Sequence, residues 1–333
     1  MSDQWEMVPG GYLRTHSRGE VMHKIERVKA ALQGEEVDRP PFSFWYHFGL
    51  QHMEGTVHAE AEIGFYRAYD VDWLKVMNDY SYALPPDIEF IEKAEDWYRL
   101  EPLAPEQSGF GEQLKALTEI NEALWGEAWF VDTVFSPWTT AARLSRGDLL
   151  FRHLQENPEA VKHGLQVIAQ TLADYAVAAI ERGAAGIFLS VSAATADLMS
   201  EEEYVTLVKP YDAMILEAVQ HIGSFNILHM HGDNLFYEAL RDLPCHAVNW
   251  SSRYTLPTLV QGRELFQRCI LGGVDERRTS RLTPADIREQ IRETVRVAGS
   301  RGIMITPGCS VPTDTASRIL HAFKQGVEQL RTG

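Results

Sequence analysis

The chain has 333 residues, 45% of them hydrophobic, with a formal charge of −16 and a sequence pI near 5.2. Such a length suits one large α/β barrel or two smaller domains, and the acidity argues against a nucleic-acid partner or an anionic membrane surface, both of which want a basic face. Three cysteines, Cys245, Cys269 and Cys309, make an odd count with no framework spacing, the usage expected of reduced thiols in a cytoplasmic protein.

Residues 1–20 read as an irregular, polar N-terminal arm broken at Pro9-Gly10-Gly11, without the apolar core of a signal peptide. From Glu20 to Gln33 a helical period puts Val21, Ile25, Val28 and Leu32 on one face, and Asp38-Arg39-Pro40-Pro41 stops it. Strand-like runs then occur at 42–48, 73–79, 128–135, 186–192, 226–231, 246–251, 269–275 and 302–308. Helix starts separate them: Asn157 before Pro158, a capping box at Ser200, and Thr283 before Pro284. A final helix carries the stripe Ile319, Phe323, Val327 and Leu330. The longest helical stretch, around 165–180, is interrupted by Gln170 and Asp174, so no run approaches a membrane span.

Eight near-continuous apolar strands alternating with helical sequence are the pattern of an all-parallel sheet closed on itself. The expected fold class is therefore α/β, a single (β/α)8 TIM barrel over residues 21–333. Extra helices are expected in the long connections from the second to the third strand and from the third to the fourth. A doubly wound open sheet competes, but it advertises a glycine-rich phosphate loop after its first strand, and here that strand ends in His47-Phe48-Gly49-Leu50. In such barrels chemistry gathers where strands end. The polar and reactive residues there are His47, Asp79, Trp138, Ser192, His229, His231, Trp250, Asp275 and Cys309.

The most informative stretch is the strand Asn226-Ile227-Leu228-His229-Met230-His231. Residues two apart on a strand share a side, so His229 and His231 project together with Cα atoms about 6.5 Å apart. That spacing suits two imidazoles gripping one metal ion, for which zinc is the common choice. A histidine that closes a strand also serves as a plain polar cap, and the pair by itself leaves both readings open. Asp233 follows closely and is placed to orient a ligating imidazole, because metal-bound histidine usually donates its other N–H to an acceptor. Trp138, Trp250, Asp275 and Ser192 are candidates for a substrate pocket, the two tryptophans being equally at home in a core. His47 and His52 are acid–base candidates, whereas Cys245 and Cys269 read as small buried hydrophobes.

Several segments, taken in order, carry a resemblance. They are Arg27-Val28-Lys29-Ala30-Ala31-Leu32-Gln33-Gly34, Val37-Asp38-Arg39-Pro40-Pro41, Val76-Met77-Asn78-Asp79, Ser136-Pro137-Trp138-Thr139 and Lys209-Pro210-Tyr211. Ile227-Leu228-His229-Met230-His231-Gly232, Gly272-Gly273-Val274-Asp275 and Pro307-Gly308-Cys309 complete the series. Over roughly residues 23–331 the chain resembles the uroporphyrinogen decarboxylase superfamily, which also contains zinc-dependent corrinoid:thiol methyltransferases. The resemblance implies a single (β/α)8 barrel, often a homodimer. Asp79 matches the central aspartate that in decarboxylases stabilises positive charge on a pyrrole. Those enzymes also hold substrate carboxylates with arginines just after the first strand, and Trp45-Tyr46-His47-Phe48-Gly49-Leu50-Gln51-His52 contains none; Arg253, Arg277, Arg278 and Arg281 lie on later loops.

In the methyltransferase branch a His-x-Cys pair and a distant Cys hold zinc. His229 and Cys309 match the first and last, and His231 stands where the middle cysteine would be. A His-His-Cys shell is about one charge more positive than His-Cys-Cys, which makes the bound zinc a stronger Lewis acid. The leading expectation is a zinc-dependent alkyl transfer to a thiol on a small-molecule substrate, with Asp79 and His47 positioning or protonating the partners. Any corrinoid would arrive on an external partner protein. A metal-free decarboxylase of a carboxylated pyrrole or other small acid, centred on Asp79, is the alternative. A non-catalytic barrel that binds a tetrapyrrole or a partner is the third.

Overall fold

A computed structural model of the protein describes residues 21–107 and 109–331, so the expected arm at 1–20 lies outside the described residues. Among the described residues seven strands form one parallel sheet in strict chain order: β1 (Trp73–Val76), β2 (Trp129–Phe135), β3 (Gly186–Val191), β4 (Ile227–Met230), β5 (Ala247–Trp250), β6 (Cys269–Val274) and β7 (Ile303–Pro307). Helix α1 (Lys24–Leu32) and helix α2 (Gly55–Tyr69) precede the sheet, and α3 (Gly109–Ala123) links β1 to β2. Three helices, α4 (Pro137–Leu144), α5 (Asp148–Glu156) and α6 (Pro158–Glu181), separate β2 from β3. After β3, α7 (Glu201–Glu203) runs through a π-helical turn, Tyr204–Val208, into α8 (Lys209–Val219). Helices α9 (Leu259–Phe266) and α10 (Pro284–Ala298) flank β6, and α11 (Ser317–Glu328) ends the fold. The cap residues work as their chemistry predicts: Asn157 accepts from Ala160 N, Ser200 from Glu203 N and Thr283 from Asp286 N. Among the described residues no helix is long and apolar enough to cross a membrane.

Both faces of the sheet are covered, which is why the strands read as unbroken apolar runs. Leu74, Leu189, Leu228, Val248 and Ile270 belong to the core shared with the helices. The alternate residues Trp73, Val131, Phe188, Ile227, Ala247, Cys269 and Met304 form a second buried cluster on the inner side. Val28 and Ala31 of α1 join that second cluster, so α1 covers the end where the strands begin. Two residues further along, the same inner face turns polar at Lys75, Thr133, His229, Asn249 and Thr306, all of them buried. The fold thus leaves a polar layer facing the opposite mouth, where the strands end.

The expected strand at 42–48 shrinks to a bridge. Phe42 pairs in parallel with Ile305, through Ile305 N to Pro41 O at 2.8 Å and Ser43 N to Ile305 O at 3.1 Å. On its other side Phe42 O accepts from Asp72 N at 3.0 Å, just before β1. The segment therefore touches both edges of the sheet. It does not extend because the next rung in each direction would need a proline N–H: Pro41 has none to offer β7, and Pro307 has none to offer Ser43.

Buried charge seats this bridge. The Asp72 carboxylate, fully buried, meets Arg27 Nη1 and Arg39 Nη1 at 2.6 Å each and accepts Phe42 N at 2.8 Å; Arg27 also holds Asp38 at 2.6 Å. One carboxylate thus ties α1, the 39–42 segment and the start of β1 together. Removing it leaves two buried guanidinium groups underpaired, and Asp72→Ala is expected to lower stability by about 3–5 kcal/mol in urea denaturation. A loss under about 1 kcal/mol would mean that the bridge is held by other contacts.

Candidate metal centre and the adjoining cavity

His229, the third residue of β4, points inward and is 3% exposed. Its neighbour across the ladder on β5 is Asn249, and Asn249 Oδ1 lies 2.7 Å from His229 Nδ1. The orientation of that amide follows from its other contacts. Asn249 Nδ2 donates to the carbonyls of Leu271 at 3.0 Å and Pro307 at 3.1 Å, and a carbonyl can only accept. The Asn249 oxygen therefore faces the imidazole and Nδ1 carries a proton, which leaves Nε2 to donate to the Cys309 thiolate when it is protonated and to offer a lone pair to a metal when it is not. Phe188 stacks on the ring at 5.1 Å and holds its plane.

His231 follows one pleat later, just past β4, with its backbone N–H on Val191 O at 2.8 Å and its exposed ring at the rim. Cys309 comes from the loop after β7, and its Sγ sits 3.7 Å from His231 Nδ1. Gly308 makes that approach possible. A Cβ there would lie 2.6 Å from Ser251 Cα and 2.8 Å from Trp250 O, both backbone atoms, and Gly308 N donates to Glu276 Oε2 at 3.2 Å. The three ligand-bearing atoms of His229, His231 and Cys309 lie within 4.8 Å of one another.

These residues fit a zinc ion. Bonds of about 2.1 Å to nitrogen and about 2.3 Å to sulfur put tetrahedral ligand atoms roughly 3.6 Å apart, close to the 3.7 Å between Sγ and Nδ1. Burial by itself would raise the Cys309 thiol. Hydrogen bonds and charge from His229 and His231 overcome it and bring the thiol down to about 4, so sulfur is a thiolate at neutral pH. Two imidazoles and a thiolate leave room for a fourth ligand. Glu276, 3% exposed with Oε1 lacking a hydrogen-bond partner among the described residues, lines the same cleft.

His47 and Asp79 meet as a pair, with Nδ1 at 2.8 and 3.0 Å from the two carboxylate oxygens. Burial pushes the Asp79 carboxyl up, but the His47 hydrogen bond and the charges of His47, Lys75 and Arg143 hold it below the usual carboxylate range. Two hollows adjoin there. One, of about 620 Å³, is lined by His231, Cys309 and Glu276; the other, of about 890 Å³, by Asn78, Asp79, Thr133 and Arg143; His47 lines both.

The other expected pocket residues stand elsewhere. Trp250 follows Asn249 and so faces outward, where its Nε1 donates to Pro257 O at 2.9 Å beneath Gly262. Trp138 lies one residue into α4, because Ser136 and Pro137 start a helix there, and it packs on Phe151 at 5.3 Å. Ser192 hydrogen-bonds Thr139 at 2.6 Å. Asp275 accepts from Tyr254 at 2.6 Å and Arg278 at 2.7 Å, which anchors its loop. Asp233 pairs with Arg277, and the residue that orients an imidazole is Asn249.

Lys75 was not singled out by the sequence reading, although a charge inside Trp73-Leu74-Lys75-Val76 is a signal. Its ammonium is buried, donates to Thr133 Oγ1 at 2.7 Å and lies 4.6 Å above the Phe188 ring; burial brings it down to about 8, opposed by Glu62, Cys309 and Asp79. Asn249, Glu276 and Arg143 were likewise missed.

Comparison with known proteins follows the same lines. The profile described as Uroporphyrinogen decarboxylase (URO-D) matches residues 23–330. The chain is 23% identical to the methylcobamide:CoM methyltransferase MtbA of Methanosarcina acetivorans over 231 residues, which is 68% of this chain and 66% of that one. It is 25% identical over 246 residues to the uroporphyrinogen decarboxylase of Trichodesmium erythraeum, covering 70% and 66% of the two chains. In fold it is similar to a solved methyltransferase from Methanosarcina mazei, with a TM-score of 0.74 at 16% identity, over 94% of this chain and all of that one.

The thiol chemistry can be read directly. In metal-free protein Cys309 should react with iodoacetamide at a rate nearly flat from pH 6 to 9, because ionisation near 4 is complete across that range. Burial pushes Cys245 up to about 11 and Cys269 up to about 12, so both should stay unlabelled on peptide mapping. A Cys309 rate that climbs through pH 8–9 would contradict the thiolate.

Proposed function

The chain belongs to the uroporphyrinogen decarboxylase (URO-D) family, and from that premise we propose that it is a zinc-dependent alkyltransferase that activates a thiol. In this reading residues 21–333 are one domain, a (β/α)8 TIM barrel working in the cytoplasm as a homodimer. The small-molecule acceptor is a thiol, and the alkyl donor is a methyl group borne by a corrinoid protein or a small donor. The single observation that carries the proposal is the convergence of His229, His231 and Cys309 within 4.8 Å. Its strongest support is the His229–Asn249 hydrogen bond, since metal-bound histidine usually has such a partner on its other nitrogen.

Zinc held by these three residues would supply the Lewis acidity that lowers the pKa of a bound thiol near neutral pH. The chain's own groups do the rest. His47 donates Nδ1–H to Asp79, so its Nε2 is free to take the thiol proton, and the carboxylate stabilises the imidazolium that results. The sulfur then forms a bond to the methyl carbon as the methyl–donor bond breaks, with the electron pair leaving on the donor. Phe188 keeps the His229 ring in place and water away from its inner face.

A second reading has one observation in its favour. Asp79 borders a cavity of about 890 Å³, which suits a metal-free decarboxylase of a carboxylated pyrrole or other small acid. Against it, both Asp79 oxygens are already engaged by His47, and the 45–52 stretch carries no arginine.

Protein purified without added metal or a His tag should contain about one zinc per chain by elemental analysis, and His229→Ala should lose it. Asn249→Leu should keep the fold and weaken metal affinity by about 10–100-fold in competition with a chelator. Absence of any transition metal, with no thiol alkylation gained on adding zinc, would remove this mechanism and promote decarboxylation. Retention of a tetrapyrrole without turnover would point to a binding barrel.

A further inference from the structure

Asp132 is the fourth residue of β2 and faces the helices, on the side of Phe130 and Val134. It is fully buried, and each of its oxygens has a donor: Gln113 Nε2 at 2.8 Å on Oδ1 and the Tyr175 hydroxyl at 2.6 Å on Oδ2. Tyr175 has a single hydroxyl proton, and Asp132 receives it. The Tyr175 oxygen can therefore only accept from Asn78, whose Nδ2 lies 3.1 Å away. That fixes the Asn78 amide and leaves its Oδ1 buried with no hydrogen-bond partner among the described residues. Asn78 lines the cavity of about 890 Å³, one residue before Asp79.

These hydrogen bonds can run one other way, and the surroundings decide which. Gln113 Nε2 also donates to the carbonyl of Met77 at 3.2 Å, and a carbonyl can only accept. The Gln113 amide therefore keeps its N–H toward Asp132, so a proton taken up by that carboxylate belongs on Oδ2, facing Tyr175. Burial and the Asp132 charge push Tyr175 well above its ordinary value, so it stays a phenol throughout. Once Asp132 donates to it, Tyr175 needs an acceptor for its own proton. Asn78 Oδ1 is the acceptor that lacks a donor.

We propose that Asp132, Tyr175 and Asn78 form a proton-controlled polarity relay. When a proton from solvent binds Asp132 Oδ2, both hydrogen bonds reverse: Asp132 donates to Tyr175, and Tyr175 donates to Asn78 Oδ1, the amide having turned over. The group that Asn78 leaves unmatched changes from an oxygen to an N–H, and with it the kind of partner this part of the cavity wall takes. The groups that face Asp132 are Gln113 on α3, Tyr175 on α6, His58 on α2 and Lys75 on β1; the second α2 carboxylate, Glu62, is engaged by Met77 N at 2.8 Å. Burial raises the Asp132 carboxyl to about 6, against the hydrogen bonds of Tyr175 and Gln113 and the charges of His58 and Lys75. The relay therefore turns over in mild acid. It involves no metal, and it goes beyond the zinc reading without depending on it.

The side-chain amide of Asn78 reports the turnover by nuclear magnetic resonance of the full chain with isotope-labelled asparagine, its signal identified by its loss in Asn78→Ser. In the unaltered chain that signal should shift with a single inflection near pH 6 as the pH is lowered from about 8 to about 5. In Asp132→Asn the introduced amide must turn its oxygen to Gln113 and its N–H to Tyr175, the arrangement of the protonated acid. The Asn78 signal should then sit at its low-pH position throughout, and in Tyr175→Phe the shift should be lost. The unaltered chain carries its own check, since the infrared band of a buried carboxylic acid must grow with the same inflection. A signal that does not move, movement without that band, or an Asp132→Asn signal at the high-pH position would overturn the relay. So would a shift that survives Tyr175→Phe and disappears in His47→Gln, because it would belong to the adjoining His47–Asp79 pair.

Discussion

The hydrogen bond from His229 Nδ1 to Asn249 Oδ1 determines what the site can offer, because it decides which imidazole nitrogen keeps its lone pair. That bond is not a local accident of two side chains. Asn249 is held by carbonyls of β6 and β7, so its amide cannot turn over without breaking two contacts in a buried layer. The imidazole is thereby aimed by three strands at once. Cys309 reaches it from the loop after β7 because residue 308 is a glycine, where a Cβ would lie only 2.6 Å from the Ser251 backbone. Rigid elements on both sides of the cleft give the pre-organisation that a metal site or a thiol-activating site needs.

The same inner face that is polar at one end is sealed at the other. Trp73, Val131, Phe188 and Ile227 fill the ring above α1, and Asp72 with its two arginines ties that end to the bridge at Phe42. Burying a carboxylate is tolerable only with such pairing. Stability and chemistry are thus separated along the strand direction, as expected where conserving shape is the task of one mouth and reactivity of the other.

Much of this was legible from residues alone, for reasons that can be named. Period-two geometry makes His229 and His231 a same-side pair whatever the fold, and Asn157, Ser200 and Thr283 mark helix starts by their own hydrogen bonds. Cys309 is distant by 78 positions from His231, and only the family resemblance linked them before the structure did. Asn249 and Lys75 were visible as polar residues in apolar strands, but their meaning depends on register, which alternation within a strand does not supply. Trp250 shows the opposite failure. Being at a strand end says nothing about the side a residue faces, and one position from Asn249 it faces the helices. The prolines at 41 and 307 were equally plain in the sequence; that they silence adjoining rungs on both sides of Phe42 appears only once Phe42 is known to pair with Ile305.

His47 occupies the junction between the cleft at Cys309 and the cavity at Asn78 and Arg143. In the proposed reaction His47 takes a proton from a thiol held in the cleft while Asp79 stabilises the imidazolium. The central claim is that two imidazoles and one thiolate of this chain share an ion. Zinc K-edge X-ray absorption on the zinc-loaded protein tests it most directly. We expect one sulfur scatterer at about 2.3 Å and nitrogen or oxygen scatterers at about 2.0–2.1 Å in a four-coordinate shell, with the sulfur lost in Cys309→Ser. A shell of oxygen and nitrogen alone in the unaltered protein, or a sulfur contribution that survives Cys309→Ser, would contradict it.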